Sequence, residues 1–189
     1  YNVKIVAGGK QAAGTVRVDE DPRIQIAEAD RAKLNDAIMR VHDLLKSGIV
    51  MRKSLQNLKT QLTTLQNTLK DTPDVPKNVT QAVQSLSDEV TKLQGRLIEP
   101  PDTGSAGPPL PDEPRPLFSQ IFFLGFGLDS YTGAPTTDEM IRIDDLAKQL
   151  RALITDVNKV IDEGVPRLNK TMSDAGLQIL NPGKKIPPP

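Results

Sequence analysis

The side chains able to do chemistry are few. Cysteine is absent, which removes thiolate nucleophiles, thiolate metal ligands and disulfides together and leaves the redox compartment open. Histidine occurs once, as His42 beside Asp43. A Ser or Thr nucleophile needs a base, and a metal site usually needs several imidazoles, so a lone His within an amphipathic stretch reads as a helix-surface residue. Asp129, Asp138, Glu139, Asp144 and Asp145 could in principle run a glycosidase. Acids near a helix start are, however, expected for the macrodipole alone. The run Asp19-Glu20-Asp21 suggests calcium, yet consecutive carboxylates on extended chain point to opposite faces and lack the spaced ligands of a binding loop. It reads as a solvated acidic linker. Gly8-Gly9-Lys10 has the wrong glycine spacing for a phosphate loop and no Ser or Thr after the Lys, so it reads as a turn. Asn78-Val79-Thr80 and Asn169-Lys170-Thr171 fit the glycosylation triplet, a pattern frequent by chance. These patterns define no catalytic, metal or cofactor-binding residue, and no cofactor is expected.

All the phenylalanines, Phe118, Phe122, Phe123 and Phe126, fall within residues 117–131, which read as a short helix. Aromatics at helical spacing are most often core, so the expectation is a buried plug. A ligand pocket or a partner-facing patch is the alternative, which makes these four the candidate interaction residues.

The element that must position everything else spans residues 27–70. Leu34, Ile38, Val41 and Leu45 recur at helical spacing, and Met51, Leu55, Leu58, Leu62, Leu65 and Leu69 continue the stripe. The step from Leu45 to Met51 is six residues instead of seven, and the slip falls on Ser47-Gly48. A kink or two abutting helices is expected there. Asp71-Thr72-Pro73-Asp74 is turn chemistry, Val75-Pro76 suits the first turn of a second helix, and Val79, Ala82 or Val83, Leu86, Val90, Leu93 and Leu97 form its stripe. The short connection makes that helix antiparallel to the first. Residues 99–116 are dominated by Pro, Gly and acids and read as a semi-extended linker. Thr136 and Glu139 have the spacing of a capping box. The stripe behind them is Ile143, Leu146, Leu150, Leu153, Val157, Val160 or Ile161, Val165, Leu168 and Met172, with Gly164 and Pro166 predicting a kink. At about 1.5 Å per residue the two long helices measure about 65 and 58 Å and the two short ones about 36 and 20 Å. An elongated bundle follows, in which the short helices cover its two ends in turn. Residues 181–189 read as a disordered tail.

Upstream, Tyr1, Val3 and Ile5 alternate with Asn2, Lys4 and Val6, and Thr15-Val16-Arg17-Val18 alternates again after a Gly-rich loop at residues 7–14. These two strands form a hairpin, which is marginal alone. They are expected to be the last strands of an upstream β-domain, an incomplete β-sandwich within residues 1–22, with Pro22 at the boundary. The chain starts at Tyr1 without a leader pattern and reads as a piece of something longer.

With 189 residues the chain can bury a core. Its 24 basic and 24 acidic side chains cancel, so no global field favours nucleic acid. Aromatics make up 3% and Trp is absent, which leaves few stacking platforms for bases or sugars. No apolar run approaches the roughly 20 residues needed to cross a bilayer, the nearest being residues 121–128, broken by Gly125 and Gly127.

Val16-Arg17-Val18 and Asp21-Pro22-Arg23, then Ala29-Asp30, Leu128-Asp129, Ala134-Pro135-Thr136 and Val165-Pro166-Arg167-Leu168-Asn169, follow one another in a pattern that resembles the C-terminal end of large bacterial secreted proteins described as sortilin-like or BNR-repeat glycosyl hydrolases. The resemblance runs over essentially the whole chain. It implies a β-propeller, then an immunoglobulin-like domain, then a helical tail, with any catalytic residues in the missing propeller and none carried over here. The function expected is a non-enzymatic structural or interaction module of a secreted or periplasmic propeller protein. Its partner is expected to be the upstream β-domain of the same polypeptide or another protein chain. Alternatives are a part of a glycan-acting hydrolase whose active site lies upstream, and an independent helical adaptor or assembly subunit.

Overall fold

The structure is a computed structural model of the chain and describes all residues except 20, 24–25, 99–114, 131 and 179. The linker expected over residues 99–116 therefore lies outside the described residues, apart from its last two. A β-hairpin of β1 (Asn2–Ala7) and β2 (Lys10–Thr15) precedes a mainly helical bundle. The helices are α1 (Glu28–Lys70), α2 (Lys77–Leu97), α3 (Leu117–Asp129), α4 (Thr137–Lys159) and α5 (Val165–Asp174), the last two joined by a π-helical turn, Val160–Gly164.

α1 is one unbroken helix, so the two abutting helices that the sequence allowed at Ser47-Gly48 do not form. Its buried residues are Ala37, Val41, Leu44, Gly48, Met51, Leu55, Leu58, Leu62 and Leu69, an alternation of four and three that runs to Leu62 and reaches Leu69 through the partly buried Leu65. Leu45 and Ile38 are only partly buried neighbours of this seam. Gly48 holds a core position that a hydrophobicity pattern cannot register, because the ring of Phe118 occupies the space of its missing side chain. A Cβ there would lie 3.0 Å from Phe118 Cδ2. α2 keeps the same step through Val79, Val83, Leu86, Val90, Leu93 and Leu97, all buried. At roughly 1.5–3 kcal/mol per fully buried aliphatic side chain, these seams are the main source of cohesion.

Matched pairs give the topology. Gln66 Nε2 donates to Gln84 Oε1 and Gln94 Nε2 to Gln56 Oε1, both at 3.1 Å, so α2 runs antiparallel along the C-terminal half of α1. α3 runs antiparallel along the N-terminal half, with Phe118 over Gly48 and Gly125 against Val41. On the other side α2 meets the α4–α5 rod, where Arg96 pairs with Asp156 at 2.6 Å and Leu86 packs over Gly164. Arg40 pairs with Asp144 across α1 and α4. Two long rods thus run parallel, and two short helices lie end to end across them.

α4 starts at the expected capping box. The Glu139 N–H donates to Thr136 Oγ1 at 3.2 Å, and the Thr136 N–H donates to Glu139 Oε2 at 2.7 Å. The kink anticipated near Gly164 and Pro166 takes the form of the π turn. Pro166 cannot donate in the ladder and its ring crowds the carbonyl four residues back. The turn resolves this by widening, with the Val165 N–H bonding to Val160 O, and the buried stripe then resumes at Val165, Leu168 and Met172.

The tail differs from the disordered segment expected. Leu180 and Ile186 are buried, and three side-chain amides each clasp both backbone groups of one tail residue. Asn169 donates to Leu180 O at 2.8 Å and accepts its N–H at 2.7 Å. Asn158 does the same for Ile186, at 2.9 Å both ways, and Gln61 for Asn181, at 3.1 Å both ways. Lys185 adds an ion pair to Asp162 at 2.7 Å.

Candidate interaction surfaces

The groups singled out for chemistry lie apart. His42 and Asp43 are exposed and stand 3.9 Å from each other. Glu139 is committed to the capping box and Asp144 to Arg40, while Asp145 pairs with Arg142 at 3.4 Å and accepts from Gln149 at 2.8 Å. Asp138 sits in the first turn of α4, and Asp129 is the last residue of α3. Among the described residues no three His, Cys, Asp or Glu side chains converge. In the linker, Asp19 pairs with Arg17 at 2.6 Å. Asp21 accepts from both the side chain and the backbone N–H of Arg23, which holds its carboxyl below the usual range and the guanidinium above its own. Asn169 of the second glycosylation triplet is engaged by the tail, whereas Asn78 is exposed at the start of α2. A recess of about 590 Å³ beside α1 is lined, among the described residues, by Arg52, Lys53, Gln56, Asn57, Thr60 and Ile98. Among the described residues no helix is long and apolar enough to cross a membrane.

The hairpin is tighter than expected. Gly8 and Gly9 both have positive φ, 55° and 74°, and form a two-residue turn, so β2 is Lys10–Thr15 instead of beginning at Thr15. This register pairs Val3 with Gly14 and Ile5 with Ala12, and the chain termini of the ladder bond Tyr1 to Val16 through both backbone groups. Because side chains alternate, Tyr1, Val3, Ile5, Ala7, Ala12, Val16 and Val18 share one face with Lys10 at its turn end, while Asn2, Lys4, Gln11, Ala13, Thr15 and Arg17 share the other with Val6. The hairpin is therefore amphipathic, yet its apolar face meets solvent: Tyr1 is 85% exposed, Ile5 65% and Val18 70%. Neither strand packs on a helix.

The Phe residues are not a buried plug. Leu117, Ile121 and Leu128 take the inner face of α3, Phe118 is half-buried, and Phe122, Phe123 and Phe126 are exposed, the last at 67%. Around Gly125 the inner face leaves no room for a ring, since a Cβ there would already lie 3.0 Å from Val41 Cγ1. Outside, Phe122 and Phe123 meet edge to face at 5.7 Å, and the Arg115 guanidinium lies 4.8 Å from the Phe123 centroid.

Searches of family models, curated proteins and solved structures find no match to this chain. The surfaces that stand out are the hairpin's apolar face and the Phe stripe. Sequence reading located the residues of both but assigned the Phe stripe to the wrong side of its helix, and it missed the amide clasps. No short motif marks an Asn that binds backbone at a distance.

Proposed function

We propose that this chain is a non-enzymatic interaction module, a self-contained helical bundle that carries a β-hairpin to be received by a β-domain. The observation that supports it is the hairpin's apolar face, left in solvent by a bundle whose own seams are closed. Ordering the hairpin costs on the order of 1–2 kcal/mol per residue in backbone entropy. Five large apolar side chains return roughly 1.5–3 kcal/mol each, and only when they are buried. The hairpin gains stability by docking, with residues 19–23 as the joint. The β-domain is an upstream part of the same polypeptide or another chain. The resemblance to the helical end of secreted or periplasmic sortilin-like propeller proteins favours the former, and any glycan chemistry then belongs to the propeller.

Hydrogen exchange on the isolated 189-residue chain tests this. Fast exchange at Val3, Ile5 and Val16 in a monomer is expected, with slow exchange throughout α1 and α2. Slow exchange in the hairpin of a partner-free monomer overturns the reading.

A further inference from the structure

The ladder that fixes the apolar face also fixes which backbone groups remain unpaired. Tyr1 and Val16 form a doubly hydrogen-bonded pair, and such pairs alternate along an antiparallel ladder. Tyr1, Val3, Ile5 and Ala7 therefore direct their N–H and C=O groups to β2. Those of Asn2, Lys4 and Val6 point outward on the far edge of β1, and those of Gln11, Ala13 and Thr15 point outward on the far edge of β2. The two edges differ in composition. β1 reads Asn-Val-Lys-Ile-Val-Ala, with three β-branched residues, whereas β2 reads Lys-Gln-Ala-Ala-Gly-Thr, weak in strand propensity and interrupted by Gly14. A strand flanked on both sides needs the stronger former, and a weak, small-residue strand is better placed at a sheet edge.

Resting on the proposed docking of the hairpin, we infer that β1 is the strand that joins the partner. It adds along its Asn2, Lys4 and Val6 edge to an open-edged β-sheet, β2 becomes the new outer edge, and the Tyr1, Val3, Ile5, Val16 and Val18 face continues the buried face of that sheet. The occupant is a β-domain of the same polypeptide with an apolar inner layer. A second copy of this chain fits poorly. Two hairpins joined antiparallel, β1 to β1, place both apolar faces on the same side of one four-stranded sheet and leave them wet. Packed face to face instead, they bury five large apolar side chains each, against the roughly 20–30 residues a side of a stable interface.

The test compares amide exchange in the full-length gene product with that in the 189-residue chain. Outward N–H groups of Asn2, Lys4 and Val6 slowed by roughly a hundredfold, with Gln11, Ala13 and Thr15 still fast, are the expected result. Lys4→Pro and Ala13→Pro each remove one outward N–H without touching the hairpin's own bonds. Lys4→Pro is expected to abolish the protection and Ala13→Pro to leave it. Protection along β2, or along both strands, shows that the hairpin docks by another edge and overturns this inference while the interaction module stands. A hairpin that exchanges fast throughout the full-length gene product overturns this inference and leaves the interaction module with another chain as its partner. A dimer of the 189-residue chain with its β1 edge protected assigns the edge to a second copy and overturns the β-domain as occupant.

Discussion

At the scale of single residues, glycine decides more than any titratable group. Gly48 and Gly125 let α3 approach α1, since an added Cβ at either position meets Phe118 or Val41 at 3.0 Å. Gly95, inside α2, faces open space. Gly95→Ala is therefore expected to raise stability by about 0.5–1 kcal/mol, and Gly125→Ala to lower it by about 1–3 kcal/mol, both read from denaturant midpoints. The Phe residues split in the same way. Phe118→Ala empties the space over Gly48 and is expected to cost at least about 2 kcal/mol, whereas Phe126→Ser stays within about 0.5 kcal/mol. Equal losses from the two would contradict the observed face of α3. Asp21 titrates below the ordinary carboxylate because the charged form is held by Arg23. That contribution to linker order is present above the ordinary carboxylate pKa and disappears as pH falls through the depressed one. An NMR titration is expected to place the Asp21 pKa below that of a free Asp, and Arg23→Ala to return it.

At the scale of elements, legibility followed contrast. α2 could be phased to within one residue because its apolar stripe is bordered by polar positions, Val83 and not Ala82 taking the seam. The capping box of α4 was equally plain, since Thr136 and Glu139 state their own geometry. α1 was phased one position off around Leu44 and Leu45, because Gly48 carries no hydrophobic signal where the seam crosses it. α3 is apolar nearly all round, so Leu117, Ile121, Leu124 and Leu128 compete with Phe118, Phe122 and Phe126 as equally periodic stripes. Only the closeness of Val41 decides between them. The tail was illegible because its partners are Asn and Gln, residues ordinarily assigned to the surface. Asn169→Ala leaves the N–H and C=O of Leu180 unpaired in a partly buried setting and is expected to cost about 1–3 kcal/mol, with faster proteolysis beyond residue 176 as the visible sign.

At the scale of the whole molecule, the hairpin and the bundle divide cleanly. Neither strand packs on a helix, and deleting residues 1–22 is expected to leave the thermal midpoint of the bundle unchanged. A fall of several degrees would mean that the hairpin supports the helices. The tail has the opposite character, since it ties α1, α4 and α5 together through Gln61, Asn158 and Asn169. Each clasp depends on an amide presenting a donor beside an acceptor. A carboxylate in its place would set an oxygen against a backbone carbonyl. The lacing is thus written in amides alone: Asp or Glu at these three positions would unfasten the tail and leave the helices beneath formed.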